Sequence, residues 1–274
     1  MSLPAVEHLA PSPAPAIGLF DSGLGGLSVL RAMRQHLPEA PLLYVADSAH
    51  APYGERSEAF IIDRSLRIAQ FLLEQGAQVL VVACNTATAA AVREIRTQHP
   101  HVPVVGVEPG VKPAVALSHN GRVGVMATPG TLGSQKFRDL VAAHGGSARV
   151  VLQPCPGLAR EIEKGELDSP ALRDLVDGFC QPLRAADVDT VVLGCTHYPF
   201  VAPLIQQAMG PQVHLLDTAD AVARHTTRLI ARLPAEPEPL AQGVHLWTTG
   251  DAQHLTQVAG SWLNLTAPTT QLRV

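Results

Sequence analysis

A rhythm in the chain limits most strongly what it can fold into. Short runs of β-branched and other apolar residues, with no polar residue alternating through them, are separated by longer amphipathic stretches. Candidate strands are AIGLF (16–20), PLLYVAD (41–47), QVLVVAC (78–84), VPVVGV (102–107), RVGVMA (122–127), ARVVL (148–152), DTVVLGC (189–195) and QVHLL (212–216). Helical patterns lie between them, as in residues 57–76 and 168–186. Such runs suit strands buried on both faces, and strand–helix alternation then predicts parallel sheets with helices on either side. GVHLWTTGD (243–251) predicts a further strand, followed by a short helix over 252–263.

The rhythm repeats internally. AIGLFDSGLGGLSVLRAM (16–33) has a partner in RVGVMATPGTLGSQKFRDL (122–140), each a strand, a turn of small residues and a helix. AQVLVVACNTATAAAV (77–92) has a partner in VDTVVLGCTHYPFVAPL (188–204), each an apolar strand, a cysteine, a polar residue and a helix. The offsets are similar, 106 residues from Gly18 to Gly124 and 111 from Cys84 to Cys195. Two related α/β units facing each other are expected, and 274 residues suffice for two compact domains.

Charge narrows the function classes. The net charge is −4 with no basic run, so a nucleic-acid partner has no electrostatic footprint. No apolar stretch reaches the length of a membrane span. Residues 1–15 contain Pro and Ala and no basic or apolar leader pattern, and they read as a flexible extension rather than a signal peptide. A cytoplasmic chain is expected, with Cys84, Cys155, Cys180 and Cys195 as free thiols.

FDSGLGGLSVL (20–30) lacks the Lys of a Walker loop and the spacing of a dinucleotide-binding turn. Its glycines allow a sharp turn at a strand end, with main-chain N–H groups bared at a helix start, where an anion, phosphate or carboxylate, is favoured. Asp21 sits at the strand tip, where open α/β sheets bind ligands, or else caps the helix. Cys84 ends a strand and opens a helix, a position that depresses a thiol pKa, though a lone cysteine is as readily a core residue. Asn85, Thr86 and Thr88 offer neutral hydrogen bonds beside it. Cys195 repeats the placement, with Thr196 and His197 following; His197 suits a proton partner, and no metal-ligand spacing accompanies it. Pro52-Tyr53-Gly54 forms a turn on the same sheet edge as Asp21 and Cys84. In CPGLAREIEKGEL (155–167), Pro156 suits a first helical turn, and Glu161 and Glu163 read as solvated helix charges. Cys155 and Cys180 have no counterparts in the repeat and read as structural.

Two thiols facing one substrate carbon from opposite sides can remove a proton on one face and return one on the other, inverting the centre. This demands neither a metal nor a cofactor. Pyridoxal chemistry would want a Schiff-base lysine, and Lys112, Lys136 and Lys164 do not fall at strand tips. A thiol of pKa about 8.5 is a weak base for an amino-acid α-hydrogen. Placement, desolvation and hydrogen bonds to the forming enediolate must supply the difference.

GLFDSGLGGLSVL, PYGERS, ACNTATA, VGVEPGVKPA (105–114) and GCTHYPF together resemble the bacterial glutamate racemases, of the aspartate/glutamate racemase superfamily. The likeness runs from about Ile17 to the C-terminal helix. It implies a cofactor-independent enzyme interconverting L- and D-glutamate for peptidoglycan, with two pseudo-symmetric α/β domains around mainly parallel sheets and the site in the cleft between them. It further implies a discontinuous first domain, 16–108 plus 217–274, around a second, 109–216, and a homodimer. Carried over residue by residue, Cys84 is the base and acid on the D-glutamate face and Cys195 on the L-glutamate face. Asp21 assists Cys84 and His197 assists Cys195, with Glu163 or else Glu161 as a third auxiliary acid. Asp21, Ser22, Pro52, Tyr53, Gly54, Asn85, Thr86, Thr128, Thr196 and His197 are implied to hold the substrate. Two other readings remain at this point: a sister racemase acting on aspartate or hydantoins, and a non-catalytic carboxylate-binding protein.

Overall fold

The computed structural model describes residues 14–233, 240 and 242–274. All but the last two residues of the expected N-terminal extension therefore lie outside the described residues. Along the chain, β1 (Ile17–Asp21) leads to α1 (Leu27–His36), β2 (Leu42–Ala46) to α2 (Glu58–Glu74), and β3 (Val79–Val82) to α3 (Asn85–Gln98). Next, β4 (Val104–Gly106) leads to α4 (Val111–Leu117), and β5 (Arg122–Ala127) to α5 (Pro129–Gly133) and α6 (Gln135–His144). After β6 (Arg149–Pro154) come α7 (Leu158–Ile162) and α8 (Pro170–Ala185), and after β7 (Thr190–Leu193) comes α9 (Ala202–Met209). Finally β8 (His214–Leu216), α10 (Ala219–Ile230), β9 (Val244–Thr248), α11 (Ala252–Leu263) and β10 (Thr269–Gln271) complete the chain.

The strands form two sheets, and every ladder is parallel. The first has the order β10-β9-β2-β1-β3-β4 and the second β6-β5-β7-β8. The block β2-β1-β3-β4 thus has the same layout as β6-β5-β7-β8, and the repeat read in the sequence pairs β1 with β5 and β3 with β7. Chain that runs after the second sheet returns to the first: β9 pairs with β2 in register from Leu42↔Val244 to Ala46↔Thr248. Alternate residues of the first sheet face opposite cores. Ile17, Leu19, Tyr44 and Val81 pack with α1, α10 and α11, whereas Phe20, Val45, Leu80 and Val82 pack with α2 and α3. Each such buried aliphatic side chain is worth about 1.5–3 kcal/mol of transfer free energy. The second sheet lies likewise between α7, α8 and α9 on one face and α4 and α6 on the other.

Helix starts follow their local chemistry. Ser57 caps α2 by accepting from Phe60 N–H, and Ser169 caps α8, with Pro170 in the first turn where its missing donor is harmless. Three expectations need correction. The β6 side chains are exposed or half-buried throughout, because β6 is an edge strand with one ladder neighbour. Pro156 does not open a helix; α7 begins at Leu158, after Gly157 turns the chain at φ 78°. Cys195 does not lead directly into a helix, since a 3-10 turn at Tyr198–Val201 precedes α9. Pro199 and Pro203 each remove a main-chain donor that one continuous helix would use. Among the described residues, no helix is long and apolar enough to cross a membrane.

Candidate active site

The C-terminal tips of β1 and β3 build one half of the site. Asp21 is fully buried at the end of β1. Its Oδ1 accepts from Ser22 N–H at 2.6 Å and from the Ser22 hydroxyl at 3.2 Å; its Oδ2 accepts from the Thr196 hydroxyl at 2.9 Å, across the junction of the two units. It does not cap α1, whose cap position is Gly26. Cys84 holds the cap position of α3: its Sγ accepts from Ala87 N–H at 3.4 Å and donates to the Ser22 hydroxyl at 3.8 Å. Cys84, Ser22, Asp21 and Thr196 therefore form one chain of contacts.

The tip of β7 builds the other half. Cys195 Sγ lies 3.5 Å from His197 Nδ1, and His197 Nε2 lies 2.5 Å from Glu163 Oε1. The same Glu163 oxygen accepts from Leu24 N–H, at 2.6 Å. Glu161 turns the other way and pairs with Lys164 at 2.6 Å. Of the two acids left open by the sequence, Glu163 is the one beside the thiols. Its main-chain oxygen is in turn held by His254 Nε2, at 2.8 Å. His254 and the Leu24 amide were not expected from the sequence, because nothing local marks a contact made across 91 and 139 residues.

These contacts explain the glycines of FDSGLGG. A Cβ on Gly23 would sit 2.2 Å from Glu163 Oε1, and one on Gly25 would sit 2.3 Å from His197 Nδ1. The turn is bare because side chains from the other unit occupy that space. One N–H of the turn, that of Leu24, is taken by the protein's own Glu163.

A second cluster lies at the same junction. Thr86 and Thr128 hydroxyls are 3.0 Å apart, and Thr131 joins both, at 3.2 and 3.0 Å. Gly54 packs against them, where a Cβ would come within 2.7 Å of Thr128 Cβ; Pro52 lies two positions before it. Asn85 is buried and its Nδ2 has no hydrogen-bond partner, so this amide has a donor to offer. Tyr53 is buried in the same core cluster as Cys84, and its hydroxyl donates to Asp47 at 2.5 Å. What this residue can present to a ligand is its main chain.

Burial dominates the electrostatics of the first half. It pushes the Cys84 thiol well up, and the neighbouring Asp21 charge adds to this, against the pull of Ala87 N–H and the Ser22 hydroxyl. The depressed value expected from the helix start alone is thus overturned by desolvation. Burial likewise raises Asp21, against His197 and Thr196. In the second half, burial alone would lower His197, but the Cys195 sulfur and the Glu163 carboxylate outweigh it and hold the imidazole well above its ordinary value. Cys155 and Cys180 sit in the core of the second unit, and burial raises both, Cys180 to about 11. Among the described residues, no three His, Cys, Asp or Glu side chains are grouped to hold a metal ion.

Comparison with known proteins shows what the chain is similar to. The family model for Asp/Glu/hydantoin racemases matches residues 26–226. The glutamate racemase of Ectopseudomonas mendocina is 51% identical over 90% of this chain and 94% of its own. That of Methylococcus capsulatus is 52% identical over 86% of this chain and 88% of its own. Among solved structures, Escherichia coli glutamate racemase in complex with L-glutamate and the activator UDP-MurNAc-ala is 31% identical and superposes with a TM-score of 0.86, over 94% of this chain and 98% of its own. These similarities lead to one assignment: the chain belongs to the Asp/Glu/hydantoin racemase family and, within it, to the glutamate racemases.

Proposed function

We propose that this protein interconverts L- and D-glutamate by a two-base mechanism in which Cys84 and Cys195 act on opposite faces of the α-carbon. The observation that carries this reading is the placement of the two thiols. Each stands just beyond the tip of an equivalent strand, β3 or β7, and each has its own acid–base companions. One thiolate takes the α-proton, and the C–H electron pair moves into the carboxylate to form an enediolate. The opposite thiol then donates its proton to the other face. Protons balance on the two sulfurs, with one thiol and one thiolate exchanged per turnover. Following the resemblance, Cys84 with Asp21 serves the D-glutamate face, and Cys195 with His197 and Glu163 serves the L-glutamate face.

Neutral donors suit a zwitterionic substrate. Ser22, Asn85, Thr86, Thr128 and Thr196 carry hydroxyl or amide groups at the junction, and the main chain of Pro52–Gly54 borders it. Both thiols are almost completely buried, so a substrate must part the two units to reach them. The burial that raises Cys84 also strengthens every hydrogen bond to a developing enediolate, because a dry site screens charge poorly. We take residues 16–108 with 217–274 as the first moving unit and 109–216 as the second, in keeping with the strands that each sheet draws on. The D-glutamate formed would supply peptidoglycan synthesis.

The deciding assay offers purified protein L-glutamate and L-aspartate in parallel and follows the D-enantiomer of each by chiral separation. D-glutamate formation far exceeding D-aspartate formation is expected. Preference for aspartate would move the protein to a sister activity of the family. No racemisation of either, with binding retained, would make it a carboxylate-binding protein.

A further inference from the structure

Asp47 stands at the tip of β2, beside Asp21, and its N–H donates to the Asp21 carbonyl at 3.0 Å. Its side chain is as deeply buried as that of Asp21, yet it is surrounded by donors. Arg64 of α2 grips it with two bonds, from Nε at 3.0 Å and from a terminal nitrogen at 2.9 Å. Thr249, just past β9, donates at 2.8 Å and the Tyr53 hydroxyl at 2.5 Å. His50 Nδ1 lies 2.9 Å away and must be the donor, since a carboxylate only accepts. Five hydrogen bonds from α2, β9 and the 50–53 segment thus converge on one carboxylate. Arg64 also reaches the Val274 main-chain oxygen, at 2.6 Å.

This network serves a segment that has little structure of its own. Residues 51–57 contain a single 3-10 turn, Tyr53–Glu55, closed by Arg56 N–H on the Tyr53 carbonyl. On its outer side the segment meets the second unit: Gly54 packs against Thr128, and Glu55 pairs with Arg160 of α7. On its inner side it is tied down through the Tyr53 hydroxyl. A wall of the cleft is therefore fastened by one side chain to one carboxylate.

We propose that Asp47, Arg64 and Thr249 are positioning residues that set substrate affinity by fixing the Pro52–Gly54 wall through the Tyr53 hydroxyl. This rests on the reading of the cleft as the glutamate site. The wall contacts substrate and transition state alike, so loosening it removes uniform binding and raises KM while leaving kcat nearly unchanged. An ordered wall also spares the ordering cost that a mobile one would add to binding. No side chain of the three hydrogen-bonds to a thiol or to its companions; Asp47 meets Asp21 only through its main-chain N–H.

The test uses the full chain with Arg64→Lys, which keeps the charge but loses the planar fork, and Thr249→Val, a near-isosteric change that removes the bond to Asp47 together with the one accepted from Ala49 N–H. Two readouts are taken well below the melting temperature: amide hydrogen exchange of residues 51–57 without substrate, and KM and kcat for L-glutamate. Exchange faster by about ten-fold, with KM raised roughly three- to ten-fold and kcat within about two-fold, is expected. Combining Arg64→Lys with Tyr53→Phe should raise KM by less than the product of the single effects, because both act through one contact. A lowered melting temperature or faster exchange with unchanged KM in an active enzyme would make the network purely structural and overturn the proposal. Unchanged exchange would overturn it as well. If the parent protein does not racemise glutamate, the substrate reading fails, and the exchange measurement still decides whether Asp47 fastens the wall.

Discussion

At the tip of β3, Cys84 has a carboxylate, a serine hydroxyl and a main-chain N–H around it; at the tip of β7, Cys195 has an imidazole backed by a carboxylate. The strands that carry them are equivalent, in sheets with the same local order. Their helpers are not. Burial raises both Cys84 and Asp21, so the first half favours neutral forms. In the second half the Cys195 sulfur and Glu163 raise His197 against its burial. The repeat therefore copied a backbone position for a thiol and left each unit to equip it separately. Glu163 comes from α7 and its exit, which have no counterpart after β2, and the glycine turn of the first unit makes room for it.

Removing the thiols should have the largest effect. Cys84→Ser and Cys195→Ser are each expected to keep the parent circular dichroism spectrum and lose racemisation by orders of magnitude, since a serine hydroxyl is a far poorer base. Substantial turnover by either folded variant would dismiss its thiol from the chemistry.

The helpers should separate the two halves. Racemisation hides such asymmetry, because both thiols act in each direction. Elimination from a glutamate analogue with a β-leaving group needs only one abstraction. Asp21→Asn should slow elimination from the D-analogue more than from the L-analogue, and His197→Asn the reverse, by roughly 10²–10⁴-fold on the affected enantiomer. Gly26→Ala and Gly25→Ala should mimic them more weakly, at about 10²-fold. An added Cβ would sit 2.7 Å from Asp21 Cβ in the first and 2.3 Å from His197 Nδ1 in the second. Equal slowing of both enantiomers in every variant would mean that the helpers are shared.

Glu163→Gln should have the smallest effect and a definite sign. Glu163 raises His197, so its contribution is present in full below the ordinary histidine value of about 6.5 and is lost as pH rises through the raised value. Without that negative charge His197 titrates lower. The alkaline limb of elimination from the L-analogue should move to lower pH, and by more than that from the D-analogue, which Glu163 reaches only through its weaker effect on Asp21. A limb that does not move would show that Glu163 does not act through His197.

Much of this was legible in the sequence because it was local. Strands β1 to β9 announce themselves as short apolar runs, and Cys84 and Cys195 stand at the ends of two of them. What escaped depends on residues far apart in the chain. Gly25 reads as a turn residue until His197, 172 positions on, is seen filling its missing side chain. Tyr53 reads as a turn residue beside the site, and nothing local in the sequence shows that its hydroxyl is held by Asp47. The Cys84 pKa was misjudged because a helix start is visible in sequence and the depth of burial around it is not. β10 was missed because TTQ (269–271) is short and polar, and its pairing with β9 defines it.

The two-base claim is tested most directly by racemising L-glutamate in deuterium oxide to low conversion and measuring α-deuterium separately in product and remaining substrate. With a thiol on each face, the donating sulfur carries a solvent deuteron. The D-glutamate should then be fully labelled at the α-carbon while the remaining L-glutamate keeps its hydrogen. Deuterium entering the remaining L-glutamate as fast as the product, or D-glutamate retaining the substrate's own hydrogen, would mean that one base serves both faces and would contradict the roles given to Cys84 and Cys195.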